Sequence, residues 1–554
     1  SRAGASDASP MGVAASTSTP VTRPVWRGYH GRVTTAVPST LDRLRDGVRE
    51  HWALSWAVTL AIGLLAFAVR LVGVDQPDRI MFDETYYAKD AWSLLQHGYE
   101  GEWVGGGDVV NPQVAAGDVS ALTAKGSFIA HPPVGKWLIA TGEWAFGMNP
   151  FGWRIAAVVF GALLVVATIR LAHRLSRSLM VGAMAGIMLT FDGLAFTMSR
   201  IALLDIFQAT FLVAGVAALV ADRDHHRHRL ADAMEARGLT SLGGSFGPLL
   251  WWRPWRWTAG VLFGLAVATK WNSLYVVAVF GILTVLWDVG ARRLAGAGFR
   301  SWTALLREGI PAFVSIVVTA FVVYVASWTG WLSTSGGWGR DWGSRNPDHP
   351  WVGAFGEGLA SLLKYHQDIF NFHTGDYIKE QTHPYDAHPA GWLLMLRPIS
   401  LDATSGIENG TDGCVSADTC VRVVTGMGNP VLWWLAAAAL LLGLIWWLAG
   451  RDWRFGVPVL AALATYLPWF ASADRPVFFF YAITIIPFTT IGLALALGLV
   501  IGQARGPGRR VGAIIAGLAV GMVVACFAWL YPVLSYQLIT NGEWLARMAL
   551  RSWI

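Results

Sequence analysis

Charged residues are scarce in this 554-residue chain, at 14% of the sequence, where soluble domains carry about 25%. With 54% apolar residues, that scarcity excludes a string of soluble domains. Cysteine is nearly absent too, with three residues in all, so a disulfide scaffold is excluded. Cys526 lies in an apolar run, where a thiol acts as a small hydrophobe. Cys414 and Cys420 fall together in a polar segment, and a short-loop disulfide is expected there if that segment faces an oxidising compartment. No glycine-rich phosphate loop follows a strand, which argues against nucleotide use. The net charge of +6 comes with no nucleic-acid motif, so no nucleic-acid partner is expected. Nor do two halves of the chain repeat, as they would in a transporter built from inverted repeats. Residues 1–50 hold no apolar run long enough to span a bilayer. Rich in Ser, Thr, Ala, Gly and Pro and then basic, they read as a disordered cytoplasmic tail rather than a cleaved signal.

What remains is long apolar runs with Trp and Tyr at their ends, where amphipathic rings settle at the headgroup level. The expected class is an all-α polytopic membrane protein. Runs at 52–72, 153–172, 179–198, 201–221, 311–331, 431–448, 455–470, 478–501 and 511–531 each read as one span. The stretch 258–288, interrupted by Thr269-Lys270-Trp271-Asn272, reads as two spans meeting at an external hairpin. The tally is about eleven spans, with the N-terminus inside and every arginine-dense short loop on the inner side. Two long segments, about 74–152 and about 332–429, are then external loops, the spans together occupy 51–531, and 532–554 is an external C-terminal tail. Within the first loop, 86–97 and 134–146 have the spacing of amphipathic helices on the membrane surface. His225, His226 and His228 lie in a basic stretch without carboxylate or cysteine spacing, and read as a solvated inner loop.

This topology gathers Asp83, Glu84, His131, Lys136, Arg154, Arg200, Asp205, Lys270 and Arg475 on one side. Charges at span ends are expensive and usually have a partner or a task. Adjacent carboxylates in Met81-Phe82-Asp83-Glu84, just past the first span, would let one face a pocket while the other braces it. An outer cavity holding carboxylates and cations suits an anionic lipid headgroup together with a neutral nucleophile that needs a base. Blander readings stay open. Asp83 and Glu84 could be a solvated acidic loop, Lys136 and Arg154 could snorkel to the interface, and Arg200 could simply pair with Asp205.

The ordered set carries more than its parts. The Asp83-Glu84 opening is followed by His131-Pro132-Pro133-Val134-Gly135-Lys136, Phe151-Gly152-Trp153-Arg154, Arg200-Ile201-Ala202-Leu203-Leu204-Asp205 and Ala268-Thr269-Lys270-Trp271. Then come His383-Pro384-Tyr385 and a stretch from Arg475 to Pro487 that contains Tyr481. In this order the chain resembles the protein O-mannosyltransferases over roughly residues 52–531. The resemblance implies a GT-C-type membrane glycosyltransferase of the plasma membrane, with its active site on the external face. It would move mannose, with inversion, from polyprenyl-phosphate-mannose to Ser or Thr hydroxyls of translocating or secreted proteins. The partners implied are the lipid donor, the acceptor protein, the translocation machinery and membrane lipids.

In that scheme Asp83 is the base and Glu84 orients a neighbour or the acceptor backbone. Arg154, Arg200, Lys270 and Arg475 are candidates for the donor phosphate, and His131, Lys136, Asp205 and Tyr481 for the same substrate-binding face. Two carboxylates could also hold a divalent metal, although the resemblance is to members with no established one. The second external segment has no room for the β-trefoil insert of the eukaryotic members, so the actinobacterial form is the nearer likeness. Alternatives are a related lipid-linked sugar transferase with a lipid or polysaccharide acceptor, and a membrane transporter.

Overall fold

The apolar runs become helices because a backbone in hydrocarbon must satisfy its N–H and C=O groups within its own segment. A computed structural model describes residues 39–45, 51–502 and 507–554. Among the described residues, eight helices are long and apolar enough to cross a membrane. Two shorter apolar helices, Leu179–Thr190 and Ile486–Ile501, fall in two more expected spans. The stretch around Lys270 does divide, into helices Pro254–Val267 and Leu274–Leu294. Length and composition alone therefore do not reach eleven.

Local chemistry explains where the expected boundaries moved. The 179–198 run breaks at Phe191, where Asp192 accepts from the Ala195 N–H and starts a new helix, Gly193–Met198. The other Asp192 oxygen accepts from the backbone of Asn429 at 2.9 Å and the indole of Trp433 at 2.8 Å, pinning the entry of helix Pro430–Leu448. The expected 201–221 span starts instead at Asp205 and continues as one helix to Glu235. This corrects the histidine tract. His225, His226 and His228 are on that helix, not in a loop, and His226 is buried beside Arg253, which also pairs with Asp222 and Asp288.

Part of the expected N-terminal tail is ordered as well. Thr40–Leu44 is a helix capped by Ser39, with Leu44 buried among Leu230 and Met234 and Arg45 on Asp232. The expected tail at 1–38 and 46–50 lies outside the described residues.

The two long connecting segments carry most of what the helical class leaves unsaid. In the first, Glu84–His97 and Val134–Phe146 are helices, as their periodicity predicts, and Tyr87, Ala91 and Leu94 face inward. Strands Gly101–Trp103 and Leu122–Gly126, which the pattern does not announce, pair antiparallel between them. In the second, a helical segment, Pro350–Thr374, broken by a kink at Gly356 where φ is 75°, precedes an antiparallel sheet. There Cys420–Gly426 is the central strand between Ile399–Ile407 and Ile539–Thr540. The last strand comes from the expected C-terminal tail, which is further held by Arg397 donating to the carbonyls of Ser552 and Ile554. A disulfide joins Cys414 to Cys420, with the Cα atoms 5.9 Å apart.

Candidate active site

After helix Trp52–Leu71 the chain loops back on itself and reaches Phe82 in a left-handed conformation, φ 43°. For a residue other than glycine this costs on the order of 1–3 kcal/mol and survives only where the surroundings over-determine it. Here the Phe82 ring meets His383, Phe478 and Phe480 edge-on, at 6.2, 5.9 and 5.8 Å. The turn gives the next two residues opposite fates.

Asp83 sits at the N-cap position of helix Glu84–His97 yet makes no capping bond. Among the described residues its carboxylate has no hydrogen bond or ion pair, and it keeps a partial opening to solvent. Burial pushes its pKa up to about 6, against the pull of Lys270 and with a smaller push from Asp205. A carboxylate that is deprotonated at neutral pH but poised near it, with free lone pairs, is suited to take a proton.

Glu84 is fully buried and turned the other way. Its oxygens accept from Arg154 Nε at 2.8 Å and Nη2 at 2.9 Å, and from the backbone N–H groups of Met81 and Ala202 at 2.9 and 3.0 Å. It braces the loop against Arg154 and the backbone at Ala202. With its oxygens taken by Arg154 and two backbone N–H groups, Glu84 is not available to share a metal ion with Asp83, the possibility that the two carboxylates left open. Among the described residues no group of three or more His, Cys, Asp or Glu is gathered to hold a metal ion.

Three expected phosphate-face cations are committed elsewhere. Besides Glu84, Arg154 donates to the carbonyls of Val74, Pro77 and Arg79 at 3.1, 2.8 and 2.7 Å. Arg200 does not pair with Asp205; it caps the end of the first long helix through the carbonyls of Arg70, Val72 and Gly73. Lys136 is buried between Glu100, at 2.7 Å, and Asp90, at 3.3 Å. Arg154 and Arg200 hold the backbone of the 70–79 segment in place and Lys136 ties the Glu84–His97 helix to Glu100; a buried cation without a partner is far costlier than a paired one.

Lys270, Asp205 and Tyr481 interact electrostatically with Asp83, and His131 and Arg475 join the cluster through Lys270 and Tyr481. Lys270 Nζ donates to both Asp205 oxygens, at 2.9 and 2.8 Å, and lies 5.0 Å from the centre of the Tyr481 ring. An ammonium has three donors, so one remains. Arg475 is half-buried and has no hydrogen bond or ion pair among the described residues. Its charge reaches His131, His373 and Tyr481. Burial holds the His131 imidazole well below its ordinary pKa, with Lys270 next in effect.

Two features of this cluster escaped the sequence pattern. Tyr87, one helical turn after Asp83, is buried with its ring 6.4 Å from His131. The Pro350–Thr374 helix brings His366 and His373 onto Trp271 and His131, with ring centres 5.8 Å apart for His366–Trp271 and 5.3 Å for His373–His131. Two histidines seven residues apart on one helix were the available signal. A further tie joins the sheet to this loop. Arg79 donates to Asp402 at 2.9 Å and to Thr404 at 2.8 Å.

Comparison with known proteins gives a consistent likeness. Residues 60–334 match the family model described as dolichyl-phosphate-mannose-protein mannosyltransferase, and 359–553 that of the C-terminal four-TMM region of protein-O-mannosyltransferase. The chain is 35% identical over 509 residues to a polyprenol-phosphate-mannose–protein mannosyltransferase of Mycolicibacterium smegmatis, covering 90% of this chain and 93% of that one. It is 36% identical over 523 residues to the Mycobacterium tuberculosis protein of the same name, covering 93% of each. In fold it is similar to a chain of the Saccharomyces cerevisiae protein O-mannosyltransferase Pmt1-Pmt2 complex bound to the sugar donor. There the TM-score is 0.67 at 13% identity, covering 93% of this chain and 94% of that one.

Proposed function

Since this chain belongs to the dolichyl-phosphate-mannose-protein mannosyltransferase family, we propose that it transfers mannose from polyprenyl-phosphate-mannose to a Ser or Thr hydroxyl of a protein, with Asp83 as the single base. The observation that carries the assignment is the contrast between the neighbouring carboxylates. Glu84 is saturated by Arg154 and two backbone N–H groups, whereas Asp83 is unbonded and feels Lys270, which keeps a free donor after its two bonds to Asp205.

A hydroxyl is a poor nucleophile until its proton is taken as the new bond forms. Asp83 accepts that proton while the acceptor oxygen attacks the anomeric carbon of mannose from the face opposite the phosphate, inverting the configuration. The bond to the phosphate oxygen breaks, and polyprenyl phosphate leaves with the electron pair. Lys270 and Arg475 hold the leaving phosphate, where charge develops and where fixed cations in a partly dry site are worth most. Tyr481 supports Lys270 through its ring face, Asp205 fixes the ammonium in place, and His131 contributes a neutral wall.

The test is a mannosyl-transfer assay with purified protein, polyprenyl-phosphate-mannose and a Ser/Thr-rich peptide. Wild type should yield mannosyl peptide, and Arg475→Ala should raise the donor KM by roughly ten-fold or more through loss of a charge-assisted contact. Formation of a mannosyl lipid or polysaccharide, with none of the peptide product, would overturn the acceptor.

Arg154, paired with Glu84, lies in the first turns of helix Pro150–Ser176 and Arg174 in its last, so the site and that arginine-rich turn are at opposite ends of the helix, which supports an external active site; a plasma-membrane location and delivery of the acceptor by the translocation machinery belong to the same reading. The Cys414–Cys420 pair reports on this directly, because a disulfide persists in an oxidising compartment. Mass spectrometry of unreduced peptides from native membranes should find the two linked. Finding both as free thiols would place the segment, and the site with it, on the reducing side.

A further inference from the structure

His373 lies in the last turn of helix Pro350–Thr374, with Nε2 2.8 Å from the carbonyl oxygen of Ala130. A carbonyl can only accept, so Nε2 carries the proton, and in the neutral ring Nδ1 is then a bare lone pair. That nitrogen is buried and has no hydrogen-bond partner among the described residues. A buried acceptor left unmet is costly, on the order of 1–3 kcal/mol, so its retention at this place needs an explanation.

The surroundings narrow what could meet it. The ring stands 5.3 Å from His131 and 6.3 Å from Trp271, centre to centre. The Trp271 indole N–H already donates to the Tyr324 hydroxyl at 2.9 Å. His366 Nδ1 is 2.7 Å from the Leu362 carbonyl, which only accepts, so Nδ1 carries that ring's proton and Nε2 takes the Tyr324 hydroxyl proton at 2.6 Å. The Trp271–Tyr324–His366 relay therefore has no donor left for His373. Burial, aided by the Arg475 and Lys270 charges, holds the His373 pKa below its ordinary value, so the ring stays neutral and its lone pair available. A group that brings its own O–H donors alongside a phosphate fits this vacancy, and a hexose does so.

Resting on the mannosyl-donor reading above, we infer that His373 is a specificity-determining residue whose Nδ1 accepts a hydrogen bond from one hydroxyl of the donor's sugar. Lys270 and Arg475 then hold the phosphate end of the donor and His373 senses its polyol end. The Pro350–Thr374 helix is the element that couples the second long segment to sugar choice.

The experiment measures kcat and donor KM for polyprenyl-phosphate-mannose and for its 2-, 3-, 4- and 6-deoxy analogues, in wild type, His373→Ala, His373→Asn and His373→Gln. In wild type, one deoxy donor should lose about ten-fold in kcat/KM, roughly the worth of one hydrogen bond. In His373→Ala that difference should vanish, with mannose itself reduced about ten-fold. Asn returns an acceptor oxygen near the place of Nδ1 and should keep the discrimination. Gln preserves the donor toward Ala130 near the place of Nε2 and should lose it. A strut that merely holds the 130–133 loop gives the reverse pattern, with Gln wild-type-like and Ala equally impaired on every donor, and that pattern overturns the inference. Mannose transfer that is normal in wild type, with a deoxy profile unchanged in His373→Ala, also defeats it while leaving the mannosyltransferase reading intact. No mannose transfer by wild type would defeat both.

Discussion

Asp83→Asn is expected to lower turnover by ~10²-fold or more at saturating donor, because the amide keeps the size of the side chain but cannot accept the hydroxyl proton. Donor binding should be nearly unchanged, since in the proposed mechanism it rests on Lys270 and Arg475. The folded protein should be no less stable. The raised pKa of Asp83, about 6, means that burial disfavours its charged form. A group whose folded pKa lies above its unfolded value lowers stability as pH rises through that range. Removing the charge therefore relieves the fold.

The same shift sets the pH profile. The base works only when deprotonated, so kcat/KM should climb as pH rises through about 6 and level off above it. Turnover by Asp83→Asn at the wild-type rate, in intact protein, would remove the acid–base argument. A profile that is flat near pH 6 and rises in another range would assign the base to another group.

Glu84 should behave differently although it is chemically equivalent and adjacent. Glu84→Ala leaves the Arg154 guanidinium buried with two of its five hydrogen bonds and its one carboxylate partner gone, and breaking a buried pair in this way costs about 3–5 kcal/mol. The expected result is a large fall in folded yield and in thermal unfolding midpoint, measured on detergent-solubilised protein. Turnover per folded molecule should fall less than in Asp83→Asn. Replacing both partners, as Glu84→Gln with Arg154→Met, should recover part of the lost stability, because it removes the stranded charge. Wild-type stability with a severe loss of turnover in Glu84→Ala would mean that Glu84 shares the proton, and the division of roles between the two carboxylates would fall.

The sequence did well where structure follows from local pattern. A run of twenty apolar residues can do little but form a helix in a bilayer, so the class and most spans could be read directly. The helices at 84–97 and 134–146 likewise announce themselves by one apolar face. The missed break at Phe191 shows the limit of that logic. Asp192 ends one helix and starts another because its second oxygen is claimed by Asn429 and Trp433, more than two hundred residues away.

The order of motifs along the chain was enough to determine the family and the chemistry to expect, and it nominated a set of charged residues. Only the tertiary structure decided which member of that set is free to act. Arg154, Arg200, Lys136 and Lys270 are interchangeable cations to a reader of sequence, but a buried charge must be compensated, and its partner is chosen by folding. Arg154 finds Glu84 seventy positions away, Lys136 finds Glu100, and Lys270 finds Asp205. Arg475 is left without a partner among the described residues. The left-handed turn at Phe82, held by aromatic rings from distant segments, points Asp83 into the site and Glu84 into the core. No spacing rule contains that choice, because it depends on which side chains meet across the fold and not on how far apart they stand along the chain.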